Sequence, residues 1–240
     1  MYEERKYREH TNAEGLIKFE AIEAETDLLV LADKNLYDQA IASILKYREQ
    51  LQSFILANPE FEKTFNPYRV SLFAPKIVRN MAWAAARCNV GPMAAVAGAM
   101  AELVGQDLLF HSKEIIVENG GDNFLKINRT RKIGIYAGDS PLSEKIAIEI
   151  DPKDTPCGIC TSSGTVGPSF SFGKADAVCV ISRSAALADA SATAIGNVVL
   201  DVDTIEKGLA VARKTRGLSG VLIIKDDKMG IFGKIKIVTI

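Results

Sequence analysis

The 240-residue chain is 48% hydrophobic and 25% charged, and its 29 basic and 30 acidic residues leave a net charge of −1. A chain of this size and composition can bury a core without disulfide or metal staples, and its charge balance gives no general footprint for nucleic acid or an anionic membrane. The stretch Met1–His10 is polar rather than a leader, and the longest apolar run, Val90–Val104, is interrupted by Glu102 and too short to span a bilayer. With four cysteines and no leader, reduced thiols in a cytoplasmic protein are expected.

In chain order, Leu16–Glu25 alternates apolar with polar residues as a half-buried strand does, and Leu28–Ala32 reads as a second strand after a turn at Thr26-Asp27. Asn35 then caps a long amphipathic helix whose apolar face carries Leu36, Ala40, Ile44, Tyr47, Leu51 and Ile55, until Asn58-Pro59 stops it. Phe61–Phe73 reads as an irregular connector. Pro75 opens a helix to Cys88, and Gly91-Pro92 separates it from Met93–Val104, a helix apolar nearly all round and therefore buried.

From Lys113 the pattern changes to short β-runs, at Glu114–Glu118, Phe124–Asn128, Lys132–Tyr136, Lys145–Ile150, Gly158–Thr161 and Ala177–Ser182. A helix between Ser184 and Asn197 is built from six alanines, with Ser184 as N-cap and Gly196-Asn197 as stop. Asp203–Glu206 reads as a capping box for a further helix to Lys214, and Val221–Lys225 with Gly233–Ile240 as a terminal hairpin. Helices with mostly hairpin-connected strands predict an α+β fold, in one domain over residues 1–240, with a mostly antiparallel sheet packed against helices.

Four places could carry chemistry. On the Ala-rich helix, Asp189 and Thr193 stand four apart, so a carboxylate and a hydroxyl share one face among small residues. That pair suits a hard cation such as magnesium; equally, Asp189 could cap a neighbouring loop of a core helix. Glu118–Phe124 holds Gly120 and Gly121, which read either as an anion-binding nest of backbone amides or as a plain hairpin turn. Cys160–Pro168 is a hydroxyl- and glycine-rich loop suited to a phosphate or a polar heterocycle, a composition shared by surface loops. Cys157-Gly-Ile-Cys160 could be a redox dithiol, but it lies along a strand and has no second Cys pair, and His10 and His111 have no ligand spacing.

Taken in order, these pieces resemble the ApbE superfamily of magnesium-dependent FAD:protein FMN transferases, and most closely a smaller archaeal and bacterial branch of it. Val96–Glu102 is similar to the family's Ala-Lys-Gly-x-Ala-x-Asp helix, and Val117–Asp122 to its Val-Asn-x-Gly-Gly-Asp turn. Thr161-Ser-Ser-Gly164 is similar to its Thr-Ser-Gly loop, and Ala188–Ala194 to its Ala-Asp-Ala-x-Ala-Thr-Ala helix. The resemblance implies a T-fold, ApbE-like architecture, with magnesium on Asp189 and Thr193 and a main-chain carbonyl near Val96. It also implies FAD or another flavin nucleotide held near Gly98, Gly120, Gly121, Thr161, Ser162, Ser163 and Gly164.

The chain departs from the family in two places. The family's lysine is Ala97, and its His-x-x-Asp-Pro segment is Ser169-Phe-Ser-Phe-Gly173. Acid/base chemistry would then fall to Asp122 or Glu102. The expected functions are a magnesium-dependent enzyme acting on a flavin nucleotide or related phosphate ester, transferring or cleaving, and alternatively a non-catalytic flavin- or nucleotide-binding protein. A CxxC dithiol redox protein is the third.

Overall fold

A computed structural model describes Arg8, residues 14–165 and residues 171–240. The readings placed on His10 and on residues 166–170 lie outside the described residues. Strand alternation and helix amphipathicity combine into three layers. The middle layer is an eight-stranded sheet of order β1-β2-β3-β4-β7-β8-β9-β10. Its strands are β1 (Ile17–Glu23), β2 (Thr26–Ala32), β3 (Ile115–Asn119), β4 (Asp122–Lys126), β7 (Cys157–Ser162), β8 (Ala177–Ser182), β9 (Leu218–Lys225) and β10 (Lys228–Gly233). Every neighbouring pair is antiparallel.

One face of that sheet carries the helices α1 (Tyr37–Ala57), α3 (Lys76–Cys88), α4 (Val96–Leu108), α5 (Ala185–Gly196) and α6 (Ile205–Lys214), with the single turn α2 (Glu60–Lys63) in the connector. The other face is covered by a three-stranded sheet of order β11-β6-β5, from β5 (Arg131–Gly134), β6 (Ile146–Ile150) and β11 (Ile237–Thr239). Period-two alternation assigns each central side chain to one of two cores. Val117, Phe124, Cys160, Val178 and Val180 pack toward the helices, and Ile116, Leu125, Cys157, Ile159 and Cys179 toward the small sheet. No helix among the described residues is long and apolar enough to cross a membrane.

Most elements fall where the sequence places them, and the exceptions have local causes. The connector coils into α2, which buries Phe61 between Phe54 and Tyr68. The capping box sits two residues earlier than expected: Asp201 Oδ1 accepts from the Thr204 N–H, and Thr204 Oγ1 accepts from the Asp201 N–H. The terminal hairpin returns through Lys228–Gly233, because Asp226-Asp227 makes a tight turn with Lys225 opposite Lys228. The last residues then leave that sheet, and Ile237 pairs with Ile148 in the small one.

Candidate functional site

The site is built where α4 meets α5. Both helices carry small residues at the crossing, and a Cβ on Gly98 would lie 2.4 Å from the Ala185 carbonyl oxygen and 2.8 Å from the Asp189 Cβ. On the far side of α5, a Cβ on Gly158 of β7 would lie 2.2 Å from the Ala185 Cα. Glycine at both positions lets the helix press between α4 and the sheet. Ser184 caps α5, its hydroxyl accepting from the Leu187 N–H. Ten of the twelve residues of α5 are buried, and the two that keep an open rim are Asp189 and Thr193.

Asp189 Oδ2 accepts from the Gly98 N–H at 2.8 Å. This N–H belongs to the first turn of α4, where amides have no partner within the helix, so the carboxylate caps α4. Burial of the carboxylate pushes its pKa up from the ordinary aspartate range to about 7, partly opposed by the Gly98 and Ala97 N–H groups. The residue retains some open surface, but protein surrounds the carboxylate itself, and those surroundings govern its titration.

The sheet supplies the facing wall. Asp122 and Cys160 are cross-strand partners, and with Asn119 and Ser162 they fall on the helix side of β3, β4 and β7. The Asn119 amide donates to the Ala97 carbonyl at 3.3 Å, tying the hairpin to the start of α4. The Cys160 thiol donates to the Ala185 carbonyl at 3.3 Å. Burial pushes this thiol well above its ordinary pKa, and the nearby Asp122 and Asp189 carboxylates push it the same way, so it stays protonated. Asn119 and Cys160 are neighbours of the candidate site that the motifs did not single out, although alternation counted back from Asp122 and Ser162 places them on this face.

The remaining expected site residues divide. Gly120 and Gly121 have φ of 64° and 101° and form the two-residue turn between Asn119 and Asp122, as a type I′ hairpin requires. The Gly121 N–H donates to Glu118 Oε1 at 2.9 Å, so this amide is engaged by the chain itself and the turn reading holds over the anion nest. Thr161 points to the opposite face, with its hydroxyl 3.0 Å from Cys179 Sγ in the small-sheet core. Ser163 turns its hydroxyl back to the Thr165 N–H, and the Gly164 N–H donates to the Ala175 carbonyl. Ser162 keeps its place beside α5, with its hydroxyl 3.8 Å from where a Gly196 Cβ would be.

Glu102 is buried, and its Oε2 accepts from Ala185 N–H (2.7 Å), Ser184 Oγ–H (3.0 Å) and Ala186 N–H (3.3 Å). Glu102, expected as an acid/base candidate, thus caps the start of α5. Cys157 and Cys160 lie on opposite faces of β7, one in each core, so the dithiol expectation is overturned: two residues three apart along a strand cannot reach disulfide geometry.

Among the described residues, no three His, Cys, Asp or Glu side chains converge on a point. A metal held here would have Asp189, Thr193 and few other protein donors. That donor set fits magnesium, which keeps several water or phosphate oxygens in its octahedron, and it does not fit a cation needing an all-protein cage.

The family described as AbpE bacteria matches residues 8–226. The chain belongs to this ApbE-like family. It is 41% identical over 212 residues to a UPF0280 protein of Methanocella arvoryzae, covering 88% of this chain and 86% of that one. To a UPF0280 protein of Methanocaldococcus jannaschii it is 43% identical over 217 residues, covering 88% of each. Its fold is similar to the flavinyl transferase ApbE of Pseudomonas stutzeri, in its apo form, with a TM-score of 0.53 at 13% identity over 90% of this chain and 93% of the other. It is also similar to the ApbE protein of Thermotoga maritima, with a TM-score of 0.55 at 13% identity over 90% and 96%. The expected architecture, a mostly antiparallel sheet packed with helices in the ApbE fold, is thus the one found, and at this identity the likeness extends to the fold alone.

Proposed function

We propose that this ApbE-like chain binds a flavin nucleotide whose phosphates, with a magnesium ion, lie over Asp189 and Thr193. The observation that carries the reading is that α5 is buried everywhere except at the residues Asp189 and Thr193, which are only partly covered. Ser162 offers a hydroxyl from the sheet side, beside the end of α5. Asn119 and Glu102 fix the starts of the two helices beside Asp189. Bound there, magnesium would neutralise phosphate charge as a Lewis acid. The flavin class is supported by the similar fold of a protein described as a flavinyl transferase.

Binding without transfer is the form of this reading the residues favour. Transfer needs a base within reach of an acceptor hydroxyl. Glu102 is engaged in the α5 cap, and His111 follows the end of α4. Asp122 favours the second, catalytic reading, since its buried carboxylate shares the helix-side face with Cys160. The test is calorimetric titration of FMN and FAD with and without magnesium, on the wild type and on Asp189→Ala. Magnesium-dependent binding that disappears in the variant is expected; equal binding by the variant refutes the assignment. Saturation at a hundred times the dissociation constant would add about 2.7 kcal/mol of stability, which melting can read in parallel. Covalently flavinylated acceptor peptide formed by the wild type, and lost in Asp122→Asn, would establish the catalytic reading instead.

A further inference from the structure

The net charge of −1 hides an uneven distribution. From Lys63 to Ala101 the chain holds no Asp or Glu, while Lys63, Arg69, Lys76, Arg79 and Arg87 all fall in that stretch. Three of these cations lie on α3, whose apolar face is buried in the helix-side core. With about 100° of turn per residue, Lys76, Arg79, Trp83 and Arg87 fall within roughly 80° of one another on the exposed side, a stripe about 16 Å long. The Arg87 guanidinium lies 4.5 Å from the centre of the Trp83 ring, and Trp83 is 45% exposed.

Each of the three cations is held by a neutral acceptor. Lys76 donates to Gln106 Oε1 at 3.0 Å, Arg79 to the Leu72 carbonyl at 3.2 Å and Arg87 to the Arg216 carbonyl at 3.5 Å. Among the described residues none of the three pairs with a carboxylate, so their charge is uncompensated. Glu102, behind Gln106, is buried and directs its charge at the start of α5. At the head of the stripe, the turn before Pro75 holds Leu72 and Phe73 out in solvent, 84% and 98% exposed. That turn is fixed in place: the Phe73 N–H donates to Ser71 Oγ at 3.2 Å, the Ala74 N–H to the Ser71 carbonyl at 3.1 Å, and Arg79 grips the Leu72 carbonyl from α3. Two large apolar side chains are thus presented beside a row of positive charge.

We propose that this face of α3, led by Leu72 and Phe73, docks on the surface of an anionic lipid bilayer. The inference stands apart from the nucleotide reading. Leu72 and Phe73 enter the boundary between headgroups and acyl chains, Trp83 lies at headgroup level, and Lys76, Arg79 and Arg87 meet the lipid phosphates. The contact is peripheral, since no described helix is long and apolar enough to cross. Two other occupants fit the surface less well. Nucleic acid would use the cations and the Trp83 ring, but it has no use for an aliphatic side chain held out in solvent. A second copy related by a two-fold axis would set the stripe against its own like charges.

The test is co-sedimentation of the full chain with vesicles of phosphatidylcholine alone and of phosphatidylcholine mixed with phosphatidylglycerol. Trp83 is the chain's single tryptophan, so its fluorescence reads the stripe directly. Binding to the mixed vesicles alone is expected, weakened by added salt and accompanied by a shift of Trp83 emission to shorter wavelength. A cation at such a surface contributes about 5-fold in affinity, so Lys76→Gln with Arg79→Gln should weaken binding about 30-fold. Phe73→Ser should weaken it by about 10-fold or more. Lys153→Gln with Lys228→Gln removes the same charge elsewhere and should bind as the wild type does. All these side chains are exposed, so unchanged melting of every variant is expected. Equal weakening by the two double variants would show an effect of net charge and overturn the assignment to α3. No binding to the mixed vesicles, or equal binding to the neutral ones, would overturn the proposal outright. Self-association without lipid that Phe73→Ser abolishes would give the face to a second copy, and preference for a single-stranded oligonucleotide over vesicles would give it to nucleic acid; either result also overturns it.

Discussion

Glu102 separates a structural carboxylate from a catalytic one, and Glu102→Ala tests which it is. In the structure one oxygen of this buried side chain serves the start of α5 through Ala185, Ser184 and Ala186, and the other accepts from Gln106 Nε2 at 3.2 Å. Truncation leaves backbone N–H groups at a buried helix start without their acceptor, a penalty of about 1–3 kcal/mol for each strongly made bond. The bond from Ala185 is short and that from Ala186 is long, so only one backbone bond counts in full. Loss of the anion at the helix N-terminus adds about 1 kcal/mol, and up to about 2 where the site is partly buried. Together these give a loss of about 3 kcal/mol, or a melting temperature lower by roughly 6–12 °C for a chain of this size. Glu102→Gln keeps an acceptor without the charge and should lose about 1 kcal/mol. Urea and thermal unfolding of the ligand-free protein measure both, with FMN titration alongside. An alanine variant within about 0.5 kcal/mol of wild type would refute the capping argument. A stable glutamine variant that no longer binds FMN would return Glu102 to the ligand site.

Arg8 donates to Asp27 Oδ1 and to Glu118 Oε2, both at 2.6 Å, and all three side chains are buried. Arg8→Met should therefore cost about 3–5 kcal/mol at neutral pH in denaturant unfolding, and an unchanged midpoint would contradict it. For Asp189, the unfolded chain releases its proton near 3.8 and the metal-free folded chain near 7, so between these values the folded state binds more protons and its stability falls as pH rises. Asp189→Asn should flatten that part of a stability–pH profile recorded without metal, whereas parallel profiles would show that the carboxylate is not burdened by burial. Burial pushes the Cys157 thiol up to about 12 and the Cys160 thiol well above its ordinary value, so both should resist alkylation in the folded protein at pH 8. Under mild oxidation no Cys157–Cys160 disulfide should appear in a peptide map; finding one would mean that β7 opens.

Much of the architecture is written in local patterns. The alternation in Leu16–Glu25, the i, i+4 apolar spacing from Leu36 to Leu51 and the alanine run after Ser184 each dictate an element without help from the rest of the fold. What local pattern does not carry is the partner of a strand. Lys132–Tyr136 and Lys145–Ile150 read as β-runs, but nothing in them says that they leave the main sheet, and Gly233–Ile240 reads as half of a hairpin. The decision is made by the second core, where Ile146, Ile148 and Ile150 cover side chains from the opposite face of the large sheet. That surface exists only once the eight strands are assembled.

The same division explains the site. Asp189 and Thr193 could be singled out because helix geometry converts a spacing of four into a shared face, and the surrounding alanines make any polar pair conspicuous. Thr161 and Ser162 could not be separated by composition, since both are hydroxyls in one loop; a single step of strand alternation sends one to Cys179 and the other to α5. Parity could have been read from Gly158, whose lack of a side chain marks where α5 touches β7: counting by two from it reaches Cys160 and Ser162 and passes over Thr161. Glu102 is harder, because its sequence position on an apolar helix is compatible with either a site or a cap. Only the crossing of α4 over the start of α5, set by Gly98, brings its carboxylate onto the Ala185 amide. A carboxylate in a motif is therefore weighed by what its oxygens already accept: both oxygens of Glu102 are engaged within the protein, whereas Asp189 caps α4 through Oδ2 on a residue that stays partly open, and this difference is why the proposal is placed on Asp189.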